Sequence, residues 1–310
     1  FKTNSGNKAL EHLPVELAAL NAFKPLIITS RNLTGPRAMR ILTGAFGDSG
    51  MTMGFFDDVT DTADLNIVEK IREIFVKGQY DSIIALGGGV VVDVAKIVNL
   101  AVSQKIADAR QLSPATAIRD PLGPFVVIPT AAVTGMETSK YAFLNGKSFD
   151  SVHLMPDLVV LDPRLTWTKD GKTIAEAGLA AFGRTLEAYI APDKNPFMNA
   201  YAVTALRFIR ENLTDAVNKR CNKKVSLAIA NAAAMSGCVI SNTDQNVLNR
   251  LGQVFQNIVH VHPGIIIGMC LHPFLDDCMK KDSSRISSLL LPLGGDDKYA
   301  AMPEAGRAGE

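Results

Sequence analysis

The sequence predicts an α/β fold, in which an N-terminal domain built on a parallel sheet is followed by an all-helical C-terminal domain. Short apolar runs alternate with helical patterns up to Pro163, and this alternation is typical of a parallel sheet covered on both faces. Beyond Pro163 strand-like runs nearly disappear and long helical patterns replace them. We therefore expect two domains, residues 1–163 and residues 164–310.

The elements of the first domain follow from apolar runs and the polar residues between them. We expect helices over 9–22, from Gly35-Pro36 to near Gly47, and from the capping residues at 60–64 to about Lys77. We expect strands over 26–29, 51–56, 83–86, 125–128 and 158–161. In the second domain the helical patterns cover 173–190, 196–213, 223–241 and 245–260, and Pro196 stands near the first helical position of its helix.

A glycine turn follows the central strand of the first domain. The apolar run 83–86 leads into Gly87, Gly88 and Gly89, and an apolar helical pattern with Asp93 and Lys96 comes next. A strand, a glycine turn and a helix can present backbone N–H groups and a helix N-terminus to a phosphate. The same glycines are also compatible with a plain tight turn, so the residues alone leave both interpretations open.

Composition excludes several classes of function. The chain has 310 residues, 47% of them apolar and 20% charged, with a net charge of +1 and no basic block. Neither nucleic acid nor a membrane surface is therefore an expected partner. No apolar run reaches the roughly 18 residues of a membrane span. The four cysteines are Cys221, Cys238, Cys270 and Cys278. Their spacing matches no zinc pattern, which favours buried thiols and a cytoplasmic protein.

Four ordered motifs resemble those of the iron-containing (group III) alcohol dehydrogenases. The glycine segment resembles a cofactor motif that normally reads Gly-Gly-Gly-Ser-x-x-Asp-x-Ala-Lys, with Val90 in place of the serine. The segment 128–137 resembles Pro-Thr-Thr-Ala-Gly-Thr-Gly-Ser-Glu. The segments 155–163 and 177–189 match the connection between the two domains and the first ligand-bearing helix of that family. Together the motifs place the resemblance over about residues 5–285.

The resemblance implies a Rossmann-like domain, a helical domain (a dehydroquinate synthase-like architecture) and NAD or NADP in the cleft between them. The resemblance implies that Gly87, Gly88, Gly89 and Val90 lie near the pyrophosphate and that Asp93 helps to order this loop. Thr130 and Thr134 would lie near the nicotinamide, and Ser30 near the adenosine ribose. Family members that select NAD often carry Asp at the Ser30 position. Serine with the adjacent Arg31 shifts the preference slightly towards NADP.

The resemblance also locates a metal site whose ligands are missing. The family binds iron or zinc through one Asp and three His, and those positions hold Ala180, Arg184, Asn249 and Pro263. None of these keeps a ligand type, so we expect no bound metal. His262 could approach the site only with a one-residue shift in register. A position close to the substrate, usually His, holds Gln253.

The sequence therefore predicts an NAD(P)-dependent oxidoreductase that acts on a small alcohol, aldehyde or ketone without metal. Arg184 could stabilise charge on the substrate oxygen or bind a substrate carboxylate, so an anionic substrate is one expectation. The alternative is a non-catalytic nucleotide-binding or interaction protein that kept the fold. The resemblance further implies a homodimer and a helical domain that normally continues beyond the position of Glu310.

Overall fold

The structure is a computed structural model that describes most of the chain. It covers residues 1–60, 63–130, 133–144, 146–168, 170–192, 195–220, 222–243, 247–259 and 261–309, without the side chains of residues 31–35, 219, 220, 257 and 305. The chain divides into two compact units, Phe1–Thr168 and Lys169–Glu310. Each unit is described below by itself.

A six-stranded parallel sheet forms the centre of the first unit. Its strands lie side by side in the order β1-β8-β5-β4-β2-β3. They are β1 (Lys2–Ser5), β2 (Pro25–Thr29), β3 (Gly54–Phe56), β4 (Ser82–Gly87), β5 (Phe125–Pro129) and β8 (Leu158–Leu161). The chain runs outward from β2 to β3 and then crosses back to β4. The direction of winding therefore changes between β2 and β4, at the kind of position where open parallel sheets bind ligands.

The strands read as apolar runs because helices cover both faces of the sheet. Every residue of β2, β4, β5 and β8 is buried. Neighbouring strands are in register through pairs such as Ile27 with Ile84 and Leu86 with Ile128. These side chains pack into one core together with residues of the surrounding helices.

The helices of the first unit follow the sequence prediction with shifted ends, apart from the short last helix, which was not predicted. They are α1 (Leu13–Ala19), α2 (Arg31–Ala45), α3 (Leu65–Gly78), α4 (Gly89–Ser103) and α5 (Pro163–Thr166), with short 3₁₀ turns at Ala9–His12, Ala109–Gln111, Met136–Thr138 and Val152–Leu154. Asp64 caps α3 by accepting the amides of Asn66 and Ile67 at 2.9 and 3.3 Å.

Three boundaries differ from those expected. The segment 9–22 divides into the 3₁₀ turn and α1. Helix α2 begins at Arg31, directly after β2, so that Pro36 lies inside the helix rather than at its start. Strand β3 spans only Gly54–Phe56, and these three residues pair with Leu26–Ile28 of β2.

Two strand pairings of the first unit were also not predicted from the sequence. Strand β1 pairs with β8 at the edge of the sheet. A separate antiparallel hairpin joins β6 (Tyr141–Leu144) to β7 (Lys147–Asp150). Gly146 in its turn has a φ of 72°, a left-handed conformation that glycine adopts at little cost.

The second unit is helical throughout the residues described. Its helices are α6 (Gly171–Tyr189), α7 (Pro196–Asp215), α8 (Lys223–Ser241), α9 (Val247–Val259), α10 (Pro263–Lys281), α11 (Ser283–Ser287), α12 (Leu290–Gly294), α13 (Asp296–Ala301) and α14 (Glu304–Arg307), and a π-helical turn covers Ala216–Arg220. Helix α6 packs against α7, α8, α9 and α10. Asn195 and Asn222 cap α7 and α8 through amides of their first turns.

One described helix is long and apolar enough to cross a membrane by length and composition. This helix is α8, with 19 residues and a mean hydropathy of 1.4 over its most apolar window. The sequence predicts no apolar segment of membrane-spanning length, and α8 corrects this expectation. The signal is weak, because 56% of the window is buried inside the protein, as in a core helix of a soluble protein.

Candidate functional site

The glycine turn lies where the sequence placed it, between β4 and α4. Gly87 ends the strand, Gly88 is the N-cap residue with φ −88° and ψ −170°, and Gly89 begins the helix. The first-turn amides of a helix have no acceptor within the helix, and the N-cap residue Gly88 has no side chain to cap them. The N-terminus of α4 therefore offers backbone donors and a positive dipole end to an anion.

The glycines have two different roles. A Cβ atom on Gly87 would lie 2.8 Å from the side chain of Val91, so this position must stay small for the helix to pack on the strand. Apart from chain neighbours and the backbone of its own helix, a Cβ atom on Gly88 or Gly89 would meet no atom of the described residues within 4 Å. The space over these two glycines is therefore open to a ligand, and a side chain there would fill it. Val90 is half-buried beside them.

Ser30 and Thr130 flank the turn on the two neighbouring strands. The register pairs Thr29 with Leu86 and Pro129 with Gly87, so the residues that follow β2 and β5 stand on either side of the glycines. Thr130 donates its amide to the carbonyl of Gly87 at 3.2 Å. Its buried hydroxyl has no hydrogen-bond partner in the described part of the chain. An orphaned hydroxyl beside an open anion site fits a bound ligand with polar groups.

Ser30 is 4% exposed and forms an isolated backbone bridge with Asp58. The side chain of Arg31, predicted to stand near the ribose, lies outside the described residues. Ala131 and Ala132 of the second motif lie outside them as well.

A buried lysine and a buried carboxylate organise the loop that carries Thr134. Lys96 on α4 is completely buried and donates to the carbonyls of Met136, Ser139 and Tyr141, each at 2.7 Å. Glu137 is also completely buried and accepts the amides of Thr134 at 3.1 Å and Gly135 at 2.7 Å. The two side chains thus bind the segment 134–141 through its carbonyls and its amides.

Burial lowers the pKa of Lys96 to about 8, against the attraction of the Asp93 and Glu137 carboxylates. Asp93, expected to order the loop, is 8% exposed on α4 and acts on Lys96 through this attraction. Sequence reasoning gave Lys96 and Glu137 no role in shaping this loop. A lysine within the mostly apolar helix α4 was the available signal, because a buried ammonium needs several acceptors.

In the second unit the four positions expected for metal ligands lie on three packed helices. Ala180 and Arg184 are on α6, Asn249 is on α9 and Pro263 begins α10. All four are buried. Arg184 is 3% exposed and donates from Nε to Oδ1 of Asn249 at 2.8 Å. The α10 backbone at Gly264 comes so close to α6 that a Cβ there would lie 3.2 Å from the amide nitrogen of Ala180.

These residues do not fit a divalent metal. Alanine and proline have no side-chain donor atom, arginine is a cation, and Oδ1 of Asn249 already accepts from Arg184. Burial and the positive charges of Arg184 and Lys172 lower the pKa of His262 to about 4, and its Nδ1 accepts the Gly264 amide at 3.1 Å. Among the described residues no three His, Cys, Asp or Glu side chains group together as a metal site would require. His260 lies outside the described residues.

Glu187, one turn beyond Arg184 on α6, serves a different element. Its carboxylate accepts the amides of Val247 and Leu248 at 2.5 and 3.0 Å and so caps the start of α9. Burial raises the pKa of Glu187. Gln253, expected near the substrate, is half-buried on α9, one turn after Asn249.

The parallel sheet with a glycine turn at its switch point, followed by a helical unit, defines the protein as a Rossmann-like α/β protein with a helical C-terminal half. The chain belongs to the iron-containing alcohol dehydrogenase family. Residues 2–163 match the family described as iron-containing alcohol dehydrogenase, and residues 174–307 match its C-terminal family. Membership indicates an alcohol dehydrogenase-like oxidoreductase and confirms the resemblance found in the sequence.

Individual relatives are distant in sequence. Long-chain-alcohol dehydrogenase 1 of Geobacillus thermodenitrificans is 25% identical over 303 residues, which cover 96% of this chain and 77% of that protein. The NAD-dependent methanol dehydrogenase of Bacillus methanolicus is 24% identical over 269 residues, which cover 84% of this chain and 70% of that protein.

The solved structures confirm the fold. The crystal structure of a 1,3-propanediol oxidoreductase matches with a TM-score of 0.89 at 21% identity, over 99% of this chain and 81% of that one. An iron-containing alcohol dehydrogenase from Thermotoga maritima matches with a TM-score of 0.84 at 24% identity, over 97% of this chain and 84% of that one.

Proposed function

We propose that the protein is an NAD(P)-dependent oxidoreductase that interconverts an alcohol and a carbonyl compound without a bound divalent metal. The observation that carries the proposal is the buried pair of Arg184 and Asn249 at two metal-ligand positions. A resident guanidinium at about 4 Å, with an effective dielectric constant near 20, disfavours each unit of a cation's charge by roughly 4 kcal/mol.

The first unit would hold the nucleotide. Gly87, Gly88, Gly89 and Val90 would present the N-terminus of α4 to the pyrophosphate, as the open space over two of these glycines allows. Thr130 and Thr134 would contact the nicotinamide half, where the Thr130 hydroxyl has no partner in the part of the chain described. The bound nucleotide supplies or accepts the hydride. The protein's own part is to orient it and to leave room for it.

Arg184 would take over the electrostatic role of a metal. A carbonyl that receives a hydride develops negative charge on its oxygen, and a positive group beside that oxygen lowers the barrier. Nδ2 of Asn249 is buried without a partner in the described part of the chain and is a second donor beside Arg184. Gln253 would supply a neutral amide near the substrate. A guanidinium also favours substrates that carry a carboxylate or phosphate.

The choice between NAD and NADP rests on the residues after β2. Ser30 carries no charge that would repel a 2′-phosphate. Asp58, which is bridged to Ser30, does carry one, although Lys70 lies 3.6 Å from its carboxylate. We propose that both nucleotides bind, and that Asp58→Asn raises affinity for NADP relative to NAD. Parallel titrations with the two nucleotides measure this ratio.

A non-catalytic nucleotide-binding or interaction protein is the second candidate. The observation that favours it is also the burial of the pair: Asn249 is fully buried and Arg184 is 3% exposed, as in a packed core.

We also propose, following the family resemblance, a cytoplasmic homodimer with domains 1–163 and 164–310. Sedimentation velocity tests the dimer.

The deciding experiment compares turnover with and without metal. Protein treated with a chelator is first titrated with NADH and NADPH by fluorescence, and is then supplied with a panel of neutral and carboxylate-bearing aldehydes. We expect micromolar nucleotide binding and turnover that added zinc or iron does not increase. Arg184→Met should reduce turnover at least thirtyfold while nucleotide affinity stays within twofold. Arg250→Met, an exposed arginine on α9, is the matched control and should change neither.

The outcomes separate the candidates. Turnover that appears only with added metal contradicts the metal-free mechanism. Nucleotide binding without turnover on any substrate of the panel supports the binding protein. Absence of nucleotide binding rejects the oxidoreductase and the nucleotide-binding form of the second candidate, and leaves only the interaction protein.

A further inference from the structure

Lys96 belongs to the glycine motif, but its side chain bonds to backbone carbonyls of another segment rather than facing the proposed phosphate site. It lies seven residues after Gly89, two turns into α4, and its side chain is completely buried. Its three 2.7 Å hydrogen bonds go to the carbonyls of Met136, Ser139 and Tyr141. An ammonium group has three N–H donors, so these carbonyls saturate it. No donor remains for a phosphate.

The segment that Lys96 holds continues from the strand end beside the glycine turn. Thr130 follows β5 and bonds to Gly87, and the described chain resumes at Val133. Gly135 adopts a left-handed φ of 93°, and the 3₁₀ turn Met136–Thr138 follows it. Glu137 fixes the amide side of this turn and Lys96 fixes the carbonyl side. A segment held by one buried cation and one buried anion has a defined shape only while both are present.

We infer that Lys96 is a positioning residue, which acts on the cofactor through the segment 134–141 rather than by contact with it. Its ammonium ties this segment to the same helix whose N-terminus faces the nucleotide. The strand end at Thr130 and the loop at Thr134 then take up fixed places relative to the glycine turn. The inference rests on the proposed nucleotide binding. It adds Lys96 to the residues that shape the nucleotide site, although Lys96 lies neither in the glycine turn nor at a strand end.

The test uses Lys96→Met, which keeps most of the length of the side chain and removes its donors. We expect nucleotide affinity to fall at least tenfold, and amide hydrogen exchange over 134–141 to become faster than in the wild type. Asn99→Ala is the matched control. Asn99 is a buried polar residue on the same helix, and it donates to the Gly123 carbonyl at 3.0 Å, next to the start of β5 rather than its end. This variant should lose stability but keep nucleotide affinity within twofold.

Glu137→Gln supplies a second, independent variant. If both side chains act through the same segment, the double variant should lose less affinity than the product of the two single losses. The wild type gives a third readout that needs no substitution, since a bound nucleotide should slow exchange over 134–141.

Each outcome of these experiments supports or overturns the inference. Wild-type protein that binds nucleotide without any change of exchange over 134–141 overturns the inference, and so does Lys96→Met with undiminished affinity. If Lys96→Met does not fold, the wild-type exchange experiment and Glu137→Gln decide. Wild-type protein that binds no nucleotide removes the proposed function and this inference with it. Faster exchange in Lys96→Met would then still show the structural link alone.

Discussion

The glycine turn of the first unit and the metal-ligand positions of the second have diverged to different extents. The turn has lost one side chain, the serine replaced by Val90, while the other motif residues remain. In the second unit all four positions that the family resemblance assigns to metal ligands hold other residue types, Ala180, Arg184, Asn249 and Pro263. The difference shows which kind of site tolerates substitution. Backbone amides can bind an anion without a particular side-chain donor beside them, whereas the metal site that the resemblance implies consists of side-chain ligands.

The metal positions give the largest expected effect, because the protein is expected either to bind a metal ion or to bind none. Elemental analysis of the purified protein should find well under one iron or zinc per chain. The fourfold variant Ala180→Asp, Arg184→His, Asn249→His and Pro263→His should bind about one, because the three helices that carry these positions pack together. Arg184→His alone is the control and should bind none. A stoichiometric metal in the wild type that is lost on mutation of His260 or His262 would show that these four positions are wrongly assigned.

The glycine turn gives the next largest effect. Gly88→Val should weaken nucleotide binding at least a hundredfold without unfolding the protein. Its φ of −88° suits any residue, and an added Cβ meets no atom of the described residues beyond its chain neighbours within 4 Å, so the new side chain would enter the space proposed for the phosphates. Fluorescence titration and circular dichroism measure the two properties. Gly44→Val, where a Cβ on α2 also meets nothing, is the control. Unchanged affinity in Gly88→Val would make the turn a plain βα connection.

The buried lysine gives a smaller effect that depends on pH. Because the folded state lowers the pKa of Lys96 to about 8 while the unfolded chain keeps it near 10.5, the unfolded state binds more protons between these values. The cost of burying the charge is therefore present below pH 8 and is relieved as the pH rises. From pH 7 to pH 9.5 the free energy of unfolding of the wild type should gain about 2 kcal/mol relative to Lys96→Met.

Urea unfolding of both proteins at the two pH values measures this difference, and the comparison cancels the titration of other groups. Asp93 and Glu137 are the charged groups that act on Lys96. Equal pH dependence in the two proteins would mean that the three carbonyls hold the ammonium at its ordinary pKa.

Much of the fold was predictable because buried parallel strands have a direct sequence signature. The runs at β2, β4, β5 and β8 contain few polar residues, and their burial explains why. The hairpin β6–β7 was missed because its strands have only four residues each and β7 mixes polar with apolar side chains. The Asn-Gly pair at 145–146 was the available signal.

The candidate site was predictable where a motif marks its residues by type and spacing. The glycine turn is one short segment, and motif spacing brought Arg184 and Asn249 to positions whose side chains are hydrogen-bonded across 65 residues. The partners of Lys96 lie 40 to 45 residues away and are backbone carbonyls, which carry no residue type. No sequence pattern identifies such acceptors, so the role of Lys96 emerged only from the folded structure.

The smallest expected effect tests the comparison most directly, at the one position of the turn that has changed. Val90→Ser restores a side-chain hydroxyl in the first turn of α4, where it can donate to a phosphate oxygen. A single additional hydrogen bond contributes about 0.5–1.5 kcal/mol, so nucleotide affinity should rise by roughly two- to tenfold and no more. Val102→Ser makes the same chemical change near the other end of α4 and should leave affinity unchanged. If backbone donors supply most of the binding, the gain must stay small. A hundredfold gain would instead show that the lost side chain dominated binding, and that the turn has been weakened as much as the metal positions have.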